Sequence, residues 1–358
     1  MDSKNKKLSE EKIPKLIISL AIPSVIAQLV TMLYNMVDRI YIGHTADGTT
    51  AMAALGITLP IITLINAFTM LFGMGGAPLC AISLGENKKD NAEKIMANSF
   101  ICLVISSILI TLCVFLFKEP ILYLFGADLT TINPAKSYIS FYIIGTIFIQ
   151  LTVGMNAYIN TQGFTKIGMK TTLLGAVLNI ILDPILIFGL FGAPRMGMAG
   201  AAIATVVGQC CAGLLALFFN LKVNKDDIHL RKIKGFKPSG RAIAMILYIG
   251  IPSIIMQSIG SIMVLGINTI LSHMNIIDTS LSLIEARDTA IAIFGIYFKL
   301  QSFIFMPIFG LNNGMVPIIA FCLGAKNKDR MIKTIKLSIC YAFTLLVIGT
   351  IIFQLVPD

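Results

Sequence analysis

Charge is scarce in this chain: 13% of its 358 residues are Asp, Glu, Lys or Arg, against 56% hydrophobic residues and a mean hydropathy of +0.86. That excludes a soluble domain of this length, because its polar residues would run out before its apolar surface was covered. Histidine is rarer still. His44, His229 and His273 fall at the ends of apolar runs or in a polar linker, without ligand spacing. The seven cysteines (80, 102, 113, 210, 211, 322 and 340) also lack metal-ligand spacing, and they read as small buried hydrophobes. Nucleophile–base sets, metal motifs and phosphate loops are missing, so nothing supports an enzyme. A signal peptide is not expected either: "MDSKNKKLSEEKIPK" is polar, and the apolar run after it is too long for a signal-peptide core.

Apolar runs of about 20 residues or more are abundant, each long enough to cross a hydrocarbon core of roughly 30 Å. Spans are expected near 16–43, 51–80, 95–117, 137–161, 168–190, 197–221, 243–272, 289–320 and 334–355, which makes the chain an all-α polytopic membrane protein embedded in a lipid bilayer. The net charge of +10 is arranged by side. Of the 28 Lys and Arg, 22 lie before the first span or in 81–94, 162–170, 222–241 and 324–336, every second connection. The other six are Arg39, Lys118, Lys136, Arg195, Arg287 and Lys299. Alternation of this kind is the positive-inside pattern, so the N-terminus is expected in the cytoplasm and the C-terminus outside. The positive charge is therefore topological, and a nucleic-acid partner is not expected.

The chain repeats itself. "LAIPSVIAQ" (20–28) returns as "IGIPSIIMQ" (249–257), an offset of 229, and "GMGGAPLCAISLGENKKD" (73–90) returns as "NNGMVPIIAFCLGAKNKD" (312–329), an offset of 239. Two lobes of parallel orientation follow: 1–221 with six spans, a cytoplasmic linker at 222–242, and 243–358 with three. A second lobe built like the first would end near about residue 450, so the expectation is a C-terminally truncated chain.

Of 18 acidic residues, only Asp38 and Asp183 lie inside expected spans. A charge near a helix centre costs at least about 2.5–3.5 kcal/mol on insertion scales, which makes each a candidate functional group. In "LLGAVLNIILDPILIFG" (173–189), Asn179 and Asp183 are four residues apart and share a helix face. Pro184 has no N–H to donate, which leaves the Ile180 carbonyl free beside the acid. Carboxylate, amide oxygen and loose carbonyl suit a proton or a hard cation, so Asp38, Asp183 and Asn179 are candidate Na⁺ ligands. In "YNMVDRIYIGH", Tyr34 shares a face with Asp38, and the small-residue face of "GMAGAAIATVVGQ" offers Thr205. If these helices meet, two carboxylates share a low-dielectric site and cannot both keep their charge without a bound ion. The alternatives are an interfacial ion pair of Asp38 with Arg39 and a structural hydrogen-bonding role for Asp183. Polar candidates for a substrate cavity are Gln28, Asn35, Asn156, Gln257 and Lys299, although snorkelling to an interface comes first for Lys299.

These stretches, with "TQGFTKIGMKTTLLGAVLNIILDPILIFG" and "GMAGAAIAT", resemble the multidrug and toxic compound extrusion (MATE) family, particularly its MepA-like and DinF-like branch. The resemblance covers essentially the whole chain. It implies a two-lobe helical bundle that expels cationic, amphipathic drugs or toxins across the cell membrane in exchange for H⁺ or Na⁺, without a cofactor and as a monomer. Carried over by motif, the coupling residues are Asp38, Tyr34, Asn179, Asp183 and Thr205. Two departures favour coupling through the first lobe: Ile267 stands at the repeat position of Asp38, and the seventh span lacks the glutamate of NorM-like members. Other readings are a lipid-linked oligosaccharide or peptidoglycan-precursor flippase of the same superfamily, or an inactive remnant.

Overall fold

A computed structural model describes residues 8–45, 47–223, 228, 230, 238–273 and 283–355. Among them there is no strand. The helices are α1 (Ile13–Gly43), α2 (Gly48–Gly85), α3 (Lys89–Leu124), α4 (Ile132–Ile144), α5 (Thr146–Thr161), α6 (Thr165–Phe188), α7 (Met198–Phe218), α8 (Gly240–His273), α9 (Leu283–Gly324) and α10 (Lys328–Leu355). Seven described helices are long and apolar enough to cross a membrane, and α4 with α5 makes an eighth. α8 runs from Gly240 to His273 across the span expected at 243–272, and its described residues give Gly240–Met256 as an apolar stretch. The outward faces carry large apolar side chains, such as Ile108, Leu109, Leu112 and Phe115 on α3. Hydrocarbon is a suitable solvent for such a surface and water is not.

The run expected as one span at 137–161 is broken. The chain bends by 54° at Gly145, between α4 and α5. A Cβ at this position would lie 2.4 Å from Val206 of α7, so the bend places bare backbone against a β-branched neighbour. The Ile143 carbonyl beside the break takes a hydrogen bond from Thr111 Oγ1 of α3 at 3.1 Å. At the start of α4, the N–H groups and hydroxyls of Thr130 and Thr131 donate to Asp128, which holds its carboxyl well below the usual carboxylate range.

Two cores hold the bundle. One, at the N-terminal, basic end, gathers Leu16, Ile17, Leu20, Leu84, Met96, Tyr158, Ile228 and Leu230; the other, at the opposite end, gathers Ile42, Ile61, Ile65, Ile139, Tyr142 and Ile187. In the first, the buried Tyr158 hydroxyl bonds Ser99 Oγ. Tyr158→Phe orphans that serine, and the expected loss is about 1 kcal/mol, read as a thermal midpoint lowered by a few degrees in detergent.

The repeat has a backbone counterpart. Asn87 and Lys326, which correspond under the offset of 239, are two of the three described non-glycine residues with positive φ, at 59° and 56°. The copies also trade partners: α2 packs on α8, and α9 packs on α1. A Cβ on Gly75 of α2 would lie 3.0 Å from the Gly250 Cα of α8, and one on Gly314 of α9 would lie 2.8 Å from the Ala21 Cα of α1. These are corresponding positions, Gly75 with Gly314 and Ala21 with Gly250. Where α2 and α9 cross, a Cβ on Gly85 would stand 2.1 Å from the Phe321 oxygen, and one on Gly324 would stand 2.0 Å from the Ile82 oxygen. Only hydrogen at these α-carbons allows the two backbones to meet.

Candidate functional site

Three helices of the first half supply the site. α6 packs along both α1 and α7. Gly175 of α6 and Gly208 of α7 are in near backbone contact, with a Cβ on Gly208 falling 2.6 Å from the Gly175 oxygen. That approach brings Asn179 to Thr205: the Asn179 Nδ2 donates to Thr205 Oγ1 at 3.2 Å and to Asp183 Oδ1 at 3.1 Å. The second bond is the i, i+4 geometry expected from spacing, and α6 runs on through Pro184 to its left-handed cap at Gly189.

Asp183 is 0% exposed, Asn179 2% and Asp38 8%. The carboxylates of Asp38 and Asp183 are near enough for their charges to act on each other. Tyr34, half-buried on α1, feels both acids and stands beside Asn35 and Gln209. Arg39 also acts on Asp38, yet that carboxylate is buried and turned into the bundle.

The unpaired atoms define the chemistry. Asp38 Oδ1, Asn179 Oδ1, Asp183 Oδ2 and Gln209 Oε1 are buried without a hydrogen-bond partner. All four are acceptors. Buried acceptors without donors are costly, and a proton or a cation satisfies them where an anion would not. Among the described residues no cluster of three or more His, Cys, Asp and Glu exists that would hold a metal by such side chains alone. Two carboxylates with amide and hydroxyl oxygens form a hard-oxygen set that fits a proton or Na⁺ rather than a tightly held transition metal.

The sequence reading missed an aromatic wall. Tyr138 and Tyr142 of α4 are buried and stacked, their ring centroids 5.6 Å apart at 19°. Tyr138 stands within electrostatic reach of Tyr34, Asp38 and Asp183, and Tyr142 within reach of Tyr34 and Asp38. The i, i+4 tyrosines in "SYISFYII" carried that signal, with the same spacing as Tyr34 and Asp38. Gln209 was missed as well, one turn beyond Thr205 on α7.

Of the cavity candidates, three have described side chains. Gln28 is half-buried on α1, and the exposed Asn35 donates to the Thr31 carbonyl at 2.7 Å. Asn156 is held between α5 and α6, its Oδ1 accepting from Thr171 Oγ1 at 2.8 Å. Gln257 and Lys299 lie on α8 and α9, and their side chains fall outside the described residues.

Known proteins share this fold. The MatE family model matches residues 23–185 and 264–358. A multidrug export protein MepA of Staphylococcus aureus is 30% identical over 349 residues, covering 95% of this chain and 72% of the relative. MepA of Staphylococcus haemolyticus is 29% identical over 330 residues, covering 92% and 69%. Among solved structures, the outward-facing conformation of a multidrug resistance MATE family transporter of the MOP superfamily superposes with a TM-score of 0.87 at 25% identity, covering 100% of this chain and 75% of that one. A MOP superfamily transporter from Pyrococcus furiosus gives the same TM-score at 23% identity, a likeness of fold. The family match takes in α1 with Asp38, the Asn179–Asp183 turn of α6 and the second copy of the repeat, and the chain belongs to the MatE family of membrane transporters.

Proposed function

We propose that the protein exports amphipathic organic cations, drugs or toxins, in exchange for H⁺ or Na⁺, by alternating access of two lobes, with its N-terminus in the cytoplasm. The observation that carries this reading is the set of four buried, unpaired oxygens on α1, α6 and α7, two of them from carboxylates whose charges act on each other. An entering ion neutralises that repulsion and joins α1 to α6. Pro23 leaves α1 without one internal hydrogen bond, so this helix can change its bend in response. The rearranged α1 then releases the drug outward, and departure of the ion resets the site. Tyr34, shared between the acids and the interior beyond them, links ion occupancy to the drug-binding side. Support for the exported class comes from the relatives named as multidrug export proteins. Basic residues before α1 and at the α2–α3 and α9–α10 turns support the orientation.

The experiment imposes a pH gradient alone, then a Na⁺ gradient alone, on vesicles containing the protein and follows a fluorescent organic cation. One of the two gradients is expected to drive uptake that collapses when an ionophore dissipates it. Equal drug movement with no gradient of either ion refutes antiport.

A further inference from the structure

At the basic end, short segments leading into the first helix of each copy cross to the other copy. The segment before α1 is clasped by Arg330, in the first turn of α10: its Nε donates to the Leu8 carbonyl at 3.1 Å and its Nη2 to the Glu11 carbonyl at 2.7 Å. Leu8, 3% exposed, enters the same core as Phe321 and Cys322 of α9. The segment before α8 is clasped in turn by Asn98 of α3, which is 0% exposed and whose Oδ1 accepts from the Ser239 N–H at 2.9 Å. Asn98 is itself held by its Nδ2, which donates to the Lys94 carbonyl at 2.7 Å. Under the repeat, α1 corresponds to α8 and α3 to α10, so the two clasps are reciprocal.

The repeat also isolates what is special about Arg330. Its counterpart is Asn91, whose Nδ2 donates to Ser83 Oγ at 2.9 Å inside its own copy. The counterpart of Ser83 is Cys322, and the Arg330 guanidinium lies against that thiol. Arginine thus keeps the local contact that asparagine makes and reaches beyond it to two carbonyls of the other half. A planar fork with several donors suits that task, whereas an ammonium would not span both oxygens.

We propose that Arg330 and Asn98 are positioning residues of a two-point latch that holds the basic ends of the two halves together, and that each transport cycle releases both points. The latch rests on the alternating-access reading above. It adds the contacts that set the balance between states: weakening either clasp favours opening at the basic end, because each joins a segment of one half to a helix of the other.

Cys322, 1% exposed beneath Arg330, is a native reporter. With the other six cysteines replaced, the full chain is placed in proteoliposomes and treated with a membrane-impermeant maleimide from the basic side. Arg330→Gln is expected to speed Cys322 modification at least about tenfold, the scale of losing one charge-assisted hydrogen bond, with Arg330→Lys in between. Ser239→Pro removes the N–H that Asn98 accepts, and Asn98→Ala removes the acceptor; both are expected to speed modification comparably, although they lie in the other clasp. Ser239→Ala controls for the hydroxyl that takes the Ala242 N–H at 3.5 Å, and it is expected to stay near the parental rate. Asn98→Asp keeps the acceptor but loses the Nδ2 donor that the Lys94 carbonyl takes, so its rate is expected between the parent and Asn98→Ala. Purely local loosening would act at Arg330→Gln and leave Ser239→Pro at the parental rate. That result, or a parental rate for Arg330→Gln, overturns the latch. The assay needs neither drug nor ion gradient, so its outcome is independent of whether ion coupling at Asp183 holds.

Discussion

Asp183→Asn is expected to abolish ion-driven export, with the coupled rate falling at least about tenfold, because a contact to a charged group is worth roughly 1.5–3 kcal/mol and each 1.4 kcal/mol is a factor of ten. The substitution is nearly isosteric. An amide oxygen at this position still accepts from Asn179 Nδ2, so the 3.1 Å bond and the α6–α7 contact through Thr205 survive. What disappears is the negative charge that, under the proposed mechanism, attracts a proton or Na⁺ together with Asp38 into a site where Asp183 is 0% exposed. Burying a carboxylate is itself costly, so the variant should fold at least as well as the parent. The measurement is efflux of a fluorescent cation under the driving gradient, paired with the thermal midpoint in detergent. Normal pumping by this variant removes the acid pair from the mechanism. A midpoint lowered by many degrees assigns Asp183 a structural role instead. Asp38→Asn should give the same phenotype, and the double variant should be no worse than either, since the two acids act as one unit.

The second large effect is structural. Gly85→Ala and Gly324→Ala are each expected to separate α2 from α9 at their crossing and to lower the yield of folded protein severely. An added Cβ would stand 2.1 Å from the Phe321 oxygen in one case and 2.0 Å from the Ile82 oxygen in the other. Both obstacles are backbone carbonyls, which cannot rotate away as a side-chain tip can. Overpacking of a well-filled core typically costs 1–3 kcal/mol, and a clash of this depth belongs at or beyond the top of that range. Size-exclusion profiles and thermal midpoints in detergent check it. Gly56→Ala on the same α2 is the control, since a Cβ there would have no heavy atom within 4 Å, and it should behave as the parent. Parental midpoints for both crossing variants would contradict the close α2–α9 backbone crossing.

Much of this was legible in the chain. Apolar runs announced the spans because hydrocarbon tolerates few charges, and the same scarcity isolated Asp38 and Asp183 among 18 acids. Helical spacing set Asn179 over Asp183 and Tyr34 over Asp38, and the repeat indicated which helices should be alike. Where local spacing ended, so did legibility. Tyr138 and Tyr142 belong to a helix expected to run straight through Gly145, and nothing local says that a 54° bend turns them towards the acids. Arg330 looked like one more positive-inside charge. Its reach to the Leu8 and Glu11 carbonyls spans some 320 residues of sequence.

The sequence by itself determined that the protein is helical and membrane-spanning, that it is built on a repeat, and that two acids lie inside its spans. These follow from composition and from periodicities of a few residues, which are properties of a segment alone. The tertiary structure alone decided that each copy packs its second helix on the other copy's first, that Thr205 closes on Asn179 across α6 and α7, and that four oxygens from three helices are left without donors. Those depend on which backbones approach and where a side chain ends unpaired. Pairings between distant segments are set by the packing of the whole bundle, and no window of sequence contains it.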